Sequence, residues 1–412
     1  MSATRGRAAL RHRDFRIYQA ARFLVTVATQ MQAVAIAWQV YDITHRAIDL
    51  GYVGLAEFLP TFGLALFAGS VADRFDRKRI VIITNLIVAS CAIVLLLMSW
   101  TGRGGVLGIY AVIVAFGVGR AFSNPAGSAL APMLVPVEDF PNAVAWSSSF
   151  WQVATIVGPS LGGVLYGAGG APAVYATNAL FTLAASALLF FVKPRAAGAP
   201  AKAASVETFL AGIRYVRRNR ILLGSISLDL FAVLFGGATA LLPVYASDVL
   251  HVGPWGLGVL RSAPAVGAAG TAIVVAHYPL KRHAGATMYW CVAIFGLATV
   301  VFGVSHSFFL SLFALLVTGA SDMVSVVVRQ TLVQLKTPDE MRGRVSAVNM
   351  MFVASSNELG EFESGITAAW FGAIPAVILG GIASVLVVGA YALGFPELRK
   401  VDRLDDVTPD VA

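Results

Sequence analysis

A chain of 412 residues with 58% hydrophobic and 13% charged residues is not composed like a soluble domain, which carries roughly 25% charged residues. Its formal charge of +8 invites a nucleic-acid reading, but 24 of the 30 Lys and Arg fall in alternate connections between apolar runs. That distribution excludes one basic face and describes the positive-inside pattern of a membrane protein with both termini cytoplasmic. The runs are about 20 residues long and do not alternate, so they predict spanning helices rather than barrel strands.

In chain order, a basic arm from Arg5 to Arg16 leads straight into the first apolar stretch with no small-residue cleavage site. It reads as a cytoplasmic arm rather than a cleaved signal. Spanning helices are expected at roughly 15–41, 48–72, 80–100, 106–133, 143–168, 172–192, 221–247, 254–277, 285–304, 308–334, 344–371 and 374–395. The outward loops are short, such as Gly167 to Pro172. This pattern divides the chain into an N-terminal six-helix bundle (1–192), a cytoplasmic linker (193–220), a C-terminal six-helix bundle (221–396) and a cytoplasmic tail (397–412). The linker opens with a Pro/Ala/Gly stretch, Lys193 to Ala204. It continues as SVETFLAGIRYVRRNR, an amphipathic helix that lies on the membrane surface or serves as a solvated connector. Cys91 and Cys291 each sit alone in an apolar run and read as core filler without a disulfide.

A repeat relates the two halves. Shifted by 204 residues, Gly54 meets Gly258, Pro60 meets Pro264, Gly63 meets Gly267, and Arg77 and Lys78 meet Lys281 and Arg282. Shifted by 202, Pro136 meets Pro338, Phe150 meets Phe352, Gly158 meets Gly360 and Gly163 meets Gly365. Two similarly oriented bundles follow, with a solute site expected between the halves near mid-membrane.

The loop GSVADRFDRKR, with Gly69, Asp73, Arg74, Arg77 and Lys78, resembles the signature loop of the major facilitator superfamily. Asp76 stands where that family often has Gly, and the second-half loop AHYPLKRH is degenerate, with His277 in place of the Asp. The resemblance implies a twelve-helix, all-α fold of two six-helix bundles. It also implies a cytoplasmic latch between Asp73 and the start of the eleventh helix near Arg342 and Arg344. GPSLGG, with Gly158, Pro159, Gly162 and Gly163, looks like the Gly-Pro motif in the fifth helix of antiporter branches, which favours efflux. The same residues match G-x-S-x-G, but a hydrolase elbow needs a preceding strand and a His partner. Gly158 and Gly162 read better as points of close helix approach. HRDFRIYQAARF, LAGIRYVRRNR and TPDEMRGRV are similar to the branch containing the bacterial enterobactin exporter and multidrug-type exporters.

Ionisable residues at membrane depth are costly and default to functional hypotheses. They are Arg22, Glu57, Arg120, Asp229, Arg261, Asp322, Arg329, Glu358, Glu361 and Glu363. None falls in the third, sixth, ninth or twelfth predicted helix, the outer helices of this superfamily. Arg22, Asp229 and Arg329 are expected near the cytoplasmic ends, with Asp229 and Arg22 as a structural pair or a gate. Arg120 and Asp322 are expected at mid-depth, as solute-site candidates. Glu57 and Arg261 are repeat-equivalent with opposite charge and are expected to interact, directly or through the eleventh helix, in one access state, or else to stand as two independent rim charges. Glu358 and Glu361 share a helical face, while Glu363 points elsewhere. Three readings stand for these acids: proton coupling, binding of a cationic solute or metal, and structural pairing, for example with Arg261. Phe23, Trp38, Phe122, Phe231 and Phe235, with Thr29, Gln30, Gln32 and Asn124, would line a greasy cavity suited to an amphipathic solute, or else pack in the core.

Together these features describe a secondary transporter of alternating access, favouring proton-coupled export of a small amphipathic drug or siderophore from a bacterial inner membrane. Uptake or lipid flipping is the runner-up, and a non-transporting sensor or scaffold is a different class. There is no P-loop to make ATP the fuel, and no nucleophile–base or metal-ligand spacing to suggest an enzyme. The expected partners are a small-molecule substrate, protons and the lipid bilayer, with no nucleic acid and no cofactor, for a chain acting as a monomer.

Overall fold

The computed structural model describes residues 7–194, 206–280 and 282–403. Most of the Lys193–Ala204 stretch, Lys281 and the end of the tail lie outside the described residues. Among the described residues the secondary structure is helical throughout, without strands.

The helices follow the apolar runs. They are α1 (Arg13–Thr44), α2 (Ala47–Arg74), α3 (Arg77–Thr101), α4 (Gly105–Leu130), α5 (Phe140–Phe190), α6 (Val206–Arg218), α7 (Arg220–Gly236), α8 (Gly253–His277), α9 (Ala284–Val304), α10 (Phe308–Lys336), α11 (Asp339–Phe371), α12 (Ala373–Gly394) and the short α13 (Pro396–Arg399). Local chemistry sets several boundaries. Asp76 caps α3 by accepting a hydrogen bond from the Arg79 backbone N–H at 3.1 Å, so the residue that departs from the family loop has a helix-starting role. Its φ of −60° requires no glycine. Asn219 caps α7 through Leu222 in the same way.

α5 comprises two limbs, and the break between them lies within the expected Gly167–Pro172 connection, at Gly170, with φ 67° and ψ −169°, a conformation accessible to glycine at little cost. The 51 residues of α5 would extend roughly 75 Å at 1.5 Å per residue, more than twice the hydrocarbon core. The break therefore separates two spanning limbs. Among the described residues nine helices are long and apolar enough to cross a membrane, or ten if the two limbs of α2, bent by 56° between Ala65 and Phe67, form one span. α11, which carries the three glutamates, is not among them.

The chain forms two compact units. The first comprises Met1–His45, Ala56–Ala204 and Gly253–Ser262, and the second comprises Arg46–Leu55, Ser205–Val252 and Ala263–Ala412. Lipid supplies no hydrophobic drive between helices, so close packing and internal hydrogen bonds must hold each unit together. In the first unit a polar chain ties α1 to the second limb of α5. Asn178, fully buried, donates to the Ala28 carbonyl at 3.0 Å and to Gln32 Oε1 at 2.7 Å, and Thr182 donates to Asn178 at 3.0 Å. Tyr175 donates to Gln39, which donates in turn to Ser99 on α3. Gln32 thus belongs to the packing of this unit rather than to an open cavity wall.

In the second unit, α6 is docked by its apolar face onto the unit's own helices. Its apolar face, with Phe209, Ile213 and Val216, packs on Leu222, Val333 and Val345. Gly212 lets it approach the Arg344 carbonyl, and Tyr215 donates to the Lys336 carbonyl at 2.8 Å. Both cysteines are free thiols, Cys91 buried and Cys291 half-buried.

Candidate functional site

Glycines set the helix crossings, and the crossings set which charges meet. In the first unit Gly117 of α4 faces α2 so closely that a Cβ there would lie 2.7 Å from the Glu57 carbonyl oxygen. Arg120, nearly one turn further along α4, then reaches the Glu57 carboxylate as an ion pair. Its guanidinium also stands 6.0 Å from the Phe116 ring centre, within cation–π range. The expected Glu57–Arg261 pairing is therefore corrected: Glu57 takes Arg120. Arg261 is half-buried on α8 and makes no ion pair among the described residues. The repeat register had paired equivalent positions, whereas the contact is made between neighbouring helices of one unit.

GPSLGG occupies two crossings. Gly158 and Gly162 lie against α1, where added Cβ atoms would meet Gln30 Cβ at 2.5 Å and Met31 Cα at 2.8 Å. Gly163 faces the first turns of α8, 2.5 Å from the Pro254 carbonyl oxygen and 3.0 Å from Gly258 Cα by the same measure. Ser160 and Ser262 close that crossing at 2.9 Å, and Ser262 also reaches the Ile156 carbonyl at 2.7 Å.

The basic loop is built as a set of end-caps. Lys78 donates to the Phe190 and Val192 carbonyls at 3.0 and 2.7 Å, which complements the negative end of α5. Arg77 reaches the Ala129 carbonyl and the Met133 sulfur. Gly69 has open space around it, and Asp73 and Arg74 are exposed. Asp73 has no ion pair among the described residues, and Arg342 takes Asp339 on its own helix at 2.6 Å. Arg22 is exposed and faces the Tyr18 hydroxyl, which donates to the Gly127 carbonyl.

In the second unit the expected Asp229–Arg22 pair is replaced by Asp229–Arg329, at 2.7 Å with side chains 5% and 3% exposed. Arg329 also reaches Asn349 of α11 at 3.4 Å. Asp322, two turns before Arg329 on α10, lies within electrostatic reach of both Asp229 and Arg329. On α11, Glu361 sits against Gly54 of α2, its Cβ and Oε2 lying 3.2 and 3.1 Å from a Cβ placed there. Gly365 faces Gly51, and Glu358 and Glu361 are both half-buried. Glu363 accepts from Thr367 at 2.7 Å. No group of three His, Cys, Asp or Glu suited to a metal exists among the described residues.

The aromatic candidates pair with one another: Phe23 with Phe150, Trp38 with Tyr166, Phe122 with Phe67, and Phe231 with Phe235 and Tyr391. Sequence reasoning missed the partner choices of Arg120 and Arg329 and the Asn178 network. The available signal was a glycine one turn before Arg120 and an unpaired Asp on the helix adjoining Arg329.

Comparison with known proteins agrees with this architecture. The multidrug efflux pump Tap of Mycobacterium tuberculosis is 25% identical over 406 residues, covering 92% of this chain and 94% of that protein. The enterobactin exporter EntS of Citrobacter koseri is 24% identical over 401 residues, covering 97% and 96%. A crystal structure of a bacterial homologue of the iron transporter ferroportin, in an inward-facing state, superposes with a TM-score of 0.72 at 15% identity, over 94% of this chain and 99% of that one. The expected resemblance to the exporter branch holds. Residues 4–410 match the family MFS_3, described as a transmembrane secretion effector, and the chain belongs to that family, as a multi-pass transporter of the major facilitator superfamily.

Proposed function

We propose that this chain is a proton-coupled exporter of small amphipathic molecules, drugs or siderophores, in a bacterial inner membrane. It works by alternating access of two six-helix bundles, 1–192 and 221–396, as a monomer with both termini cytoplasmic. The observation that carries export is the near full-length match to relatives named for efflux and export, one for drugs and one for a siderophore. Ion pairs held at membrane depth, Glu57–Arg120 and Asp229–Arg329, support a solute path, because such groups are retained where a path or relay uses them. The acids of α7 and α10 supply carboxylates, one of them beside the buried ion pair, able to load and release a proton.

The test is solute accumulation in energised everted vesicles, with a panel of dyes, antibiotics and catechol siderophores, with and without a protonophore. Accumulation abolished by the protonophore supports proton-driven export. Accumulation only in right-side-out vesicles would replace export by uptake.

A further inference from the structure

The cluster between α7, α10 and α11, in which Asp229, Arg329 and Asn349 are buried and Asp322 is half-buried, has an excess of negative charge. Asp229 and Asp322 bring two carboxylates, and Arg329 brings one guanidinium. α11 contributes the neutral Asn349. α8 crosses α10 where Pro264 meets Gly319 and, from Ala263 to Ala276, carries no charged residue. α9 has none along its whole length, and α7 adds only Arg220 at its far end. One negative charge is therefore left uncompensated, and low dielectric makes that state unfavourable.

The geometry also shows where compensation would come from. Arg329 is committed to Asp229 through one terminal nitrogen, yet its buried Nε has no hydrogen-bond partner among the described residues. Ser325 Oγ, one turn away toward Asp322, is likewise buried without a partner among them. Residues 322, 325 and 329 share one face of α10, and helical side chains lean toward the N-terminus, so Arg329 leans toward Asp322.

Resting on the proton-coupled reading above, we propose that Asp322 is the proton-binding group. In this proposal Asp229–Arg329 is the fixed pair beside it, and the spare Arg329 N–H takes over the carboxylate when the proton leaves. The proton binds as O–H on an Asp322 carboxylate oxygen and departs to water, and no other bond is made or broken. Asp229 stays paired with Arg329, at 2.7 Å. Arg329 and Ser325 are positioning residues. The glutamates of α11 are then not the proton carriers.

Two measurements on the purified full-length protein test this. In proteoliposomes with ethidium as probe, Asp322→Asn should lose accumulation driven by a pH gradient while retaining downhill ethidium exchange. Asp322→Glu should restore gradient-driven accumulation, and Glu358→Gln with Glu361→Gln should keep it. By infrared difference spectroscopy, the carbonyl band of a protonated carboxylic acid that appears on acidification should be missing in Asp322→Asn and present in the double glutamine variant. Gradient-driven accumulation that survives in Asp322→Asn would overturn the proposal, as would a band lost in the glutamine variant but kept in Asp322→Asn. If wild-type ethidium transport ignores the protonophore, the coupling reading fails, and the infrared band still decides whether Asp322 binds the proton.

Discussion

Replacing Gly258 by Ala places one methyl group into the α5–α8 crossing. The added Cβ would lie 2.5 Å from the Pro159 carbonyl oxygen and 3.1 Å from Gly163 Cα. Both neighbours are backbone, so relief requires moving a helix rather than rotating a side chain. Overpacking of this kind costs about 1–3 kcal/mol. Alanine also gains about 0.5–1 kcal/mol over glycine in a helix interior. Gly389 of α12 isolates that second effect, because nothing lies within 4 Å of a Cβ there. Measured as thermal unfolding in detergent, Gly389→Ala should raise the midpoint slightly and Gly258→Ala should lower it relative to Gly389→Ala. The expected difference is about 2–4 °C for each kcal/mol in a unit of this size. Equal midpoints for the two variants would refute the claim that glycine is needed for close approach at this crossing.

Three further outcomes follow from the charge pairs. Arg329→Met should reduce stability by about 3–5 kcal/mol, because it strands a buried carboxylate. The double variant with Asp229→Leu should recover much of that loss, read as yield and unfolding midpoint of detergent-solubilised protein. Glu57→Arg combined with Arg120→Glu should transport better than either single variant in the vesicle assay, and no recovery would mean the pair is incidental. Beside the start of α9, Asp402 accepts from the His283 backbone N–H at 2.8 Å and from Arg282 at 3.2 Å. These bonds, the first above all, hold its carboxyl below the usual carboxylate range. A depressed folded value means the clasp's stabilisation is present above the unfolded value of about 3.9 and is lost as pH falls through the folded one. Proteolysis of the chain end after α13 should therefore be unchanged from neutral pH down to about 4 and should accelerate only below that.

Helix positions were legible because lipid leaves the backbone no other way to satisfy its polar groups. α3, α8 and α9 begin and end within about three residues of the apolar runs. The break between the limbs of α5 was legible in position but not in tightness, since one glycine at positive φ does what a six-residue loop was expected to do. Partner choice at membrane depth was not legible either. Arg120 finds Glu57 because Gly117 brings α4 onto α2, and the sequence shows the glycine but not the crossing it makes. Nor was the local pairing of Arg342 with Asp339 on its own helix foreseen.

The two halves repeat a crossing and then differ within it. Gly163 against Gly258 in the first unit corresponds, under the shifts of 202 and 204, to Gly365 and Gly54 on the α11–α2 contact of the second. In the first, Pro159 and Ile156 supply backbone oxygens, and Ser160 and Ser262 close the contact without any charge. In the second, the positions of Pro159 and Ile156 are Glu361 and Glu358, and the Glu361 side chain is what Gly54 meets. A neutral crossing has one packing energy whatever the protonation state around it. A crossing with a carboxylate at its point of closest approach has two, because desolvating the charged form costs far more than desolvating the neutral form. Two stacked copies of one bundle would have no reason to carry that difference. Its restriction to α11 makes the α2–α11 contact the one whose strength depends on charge, while the α5–α8 contact stays indifferent to it.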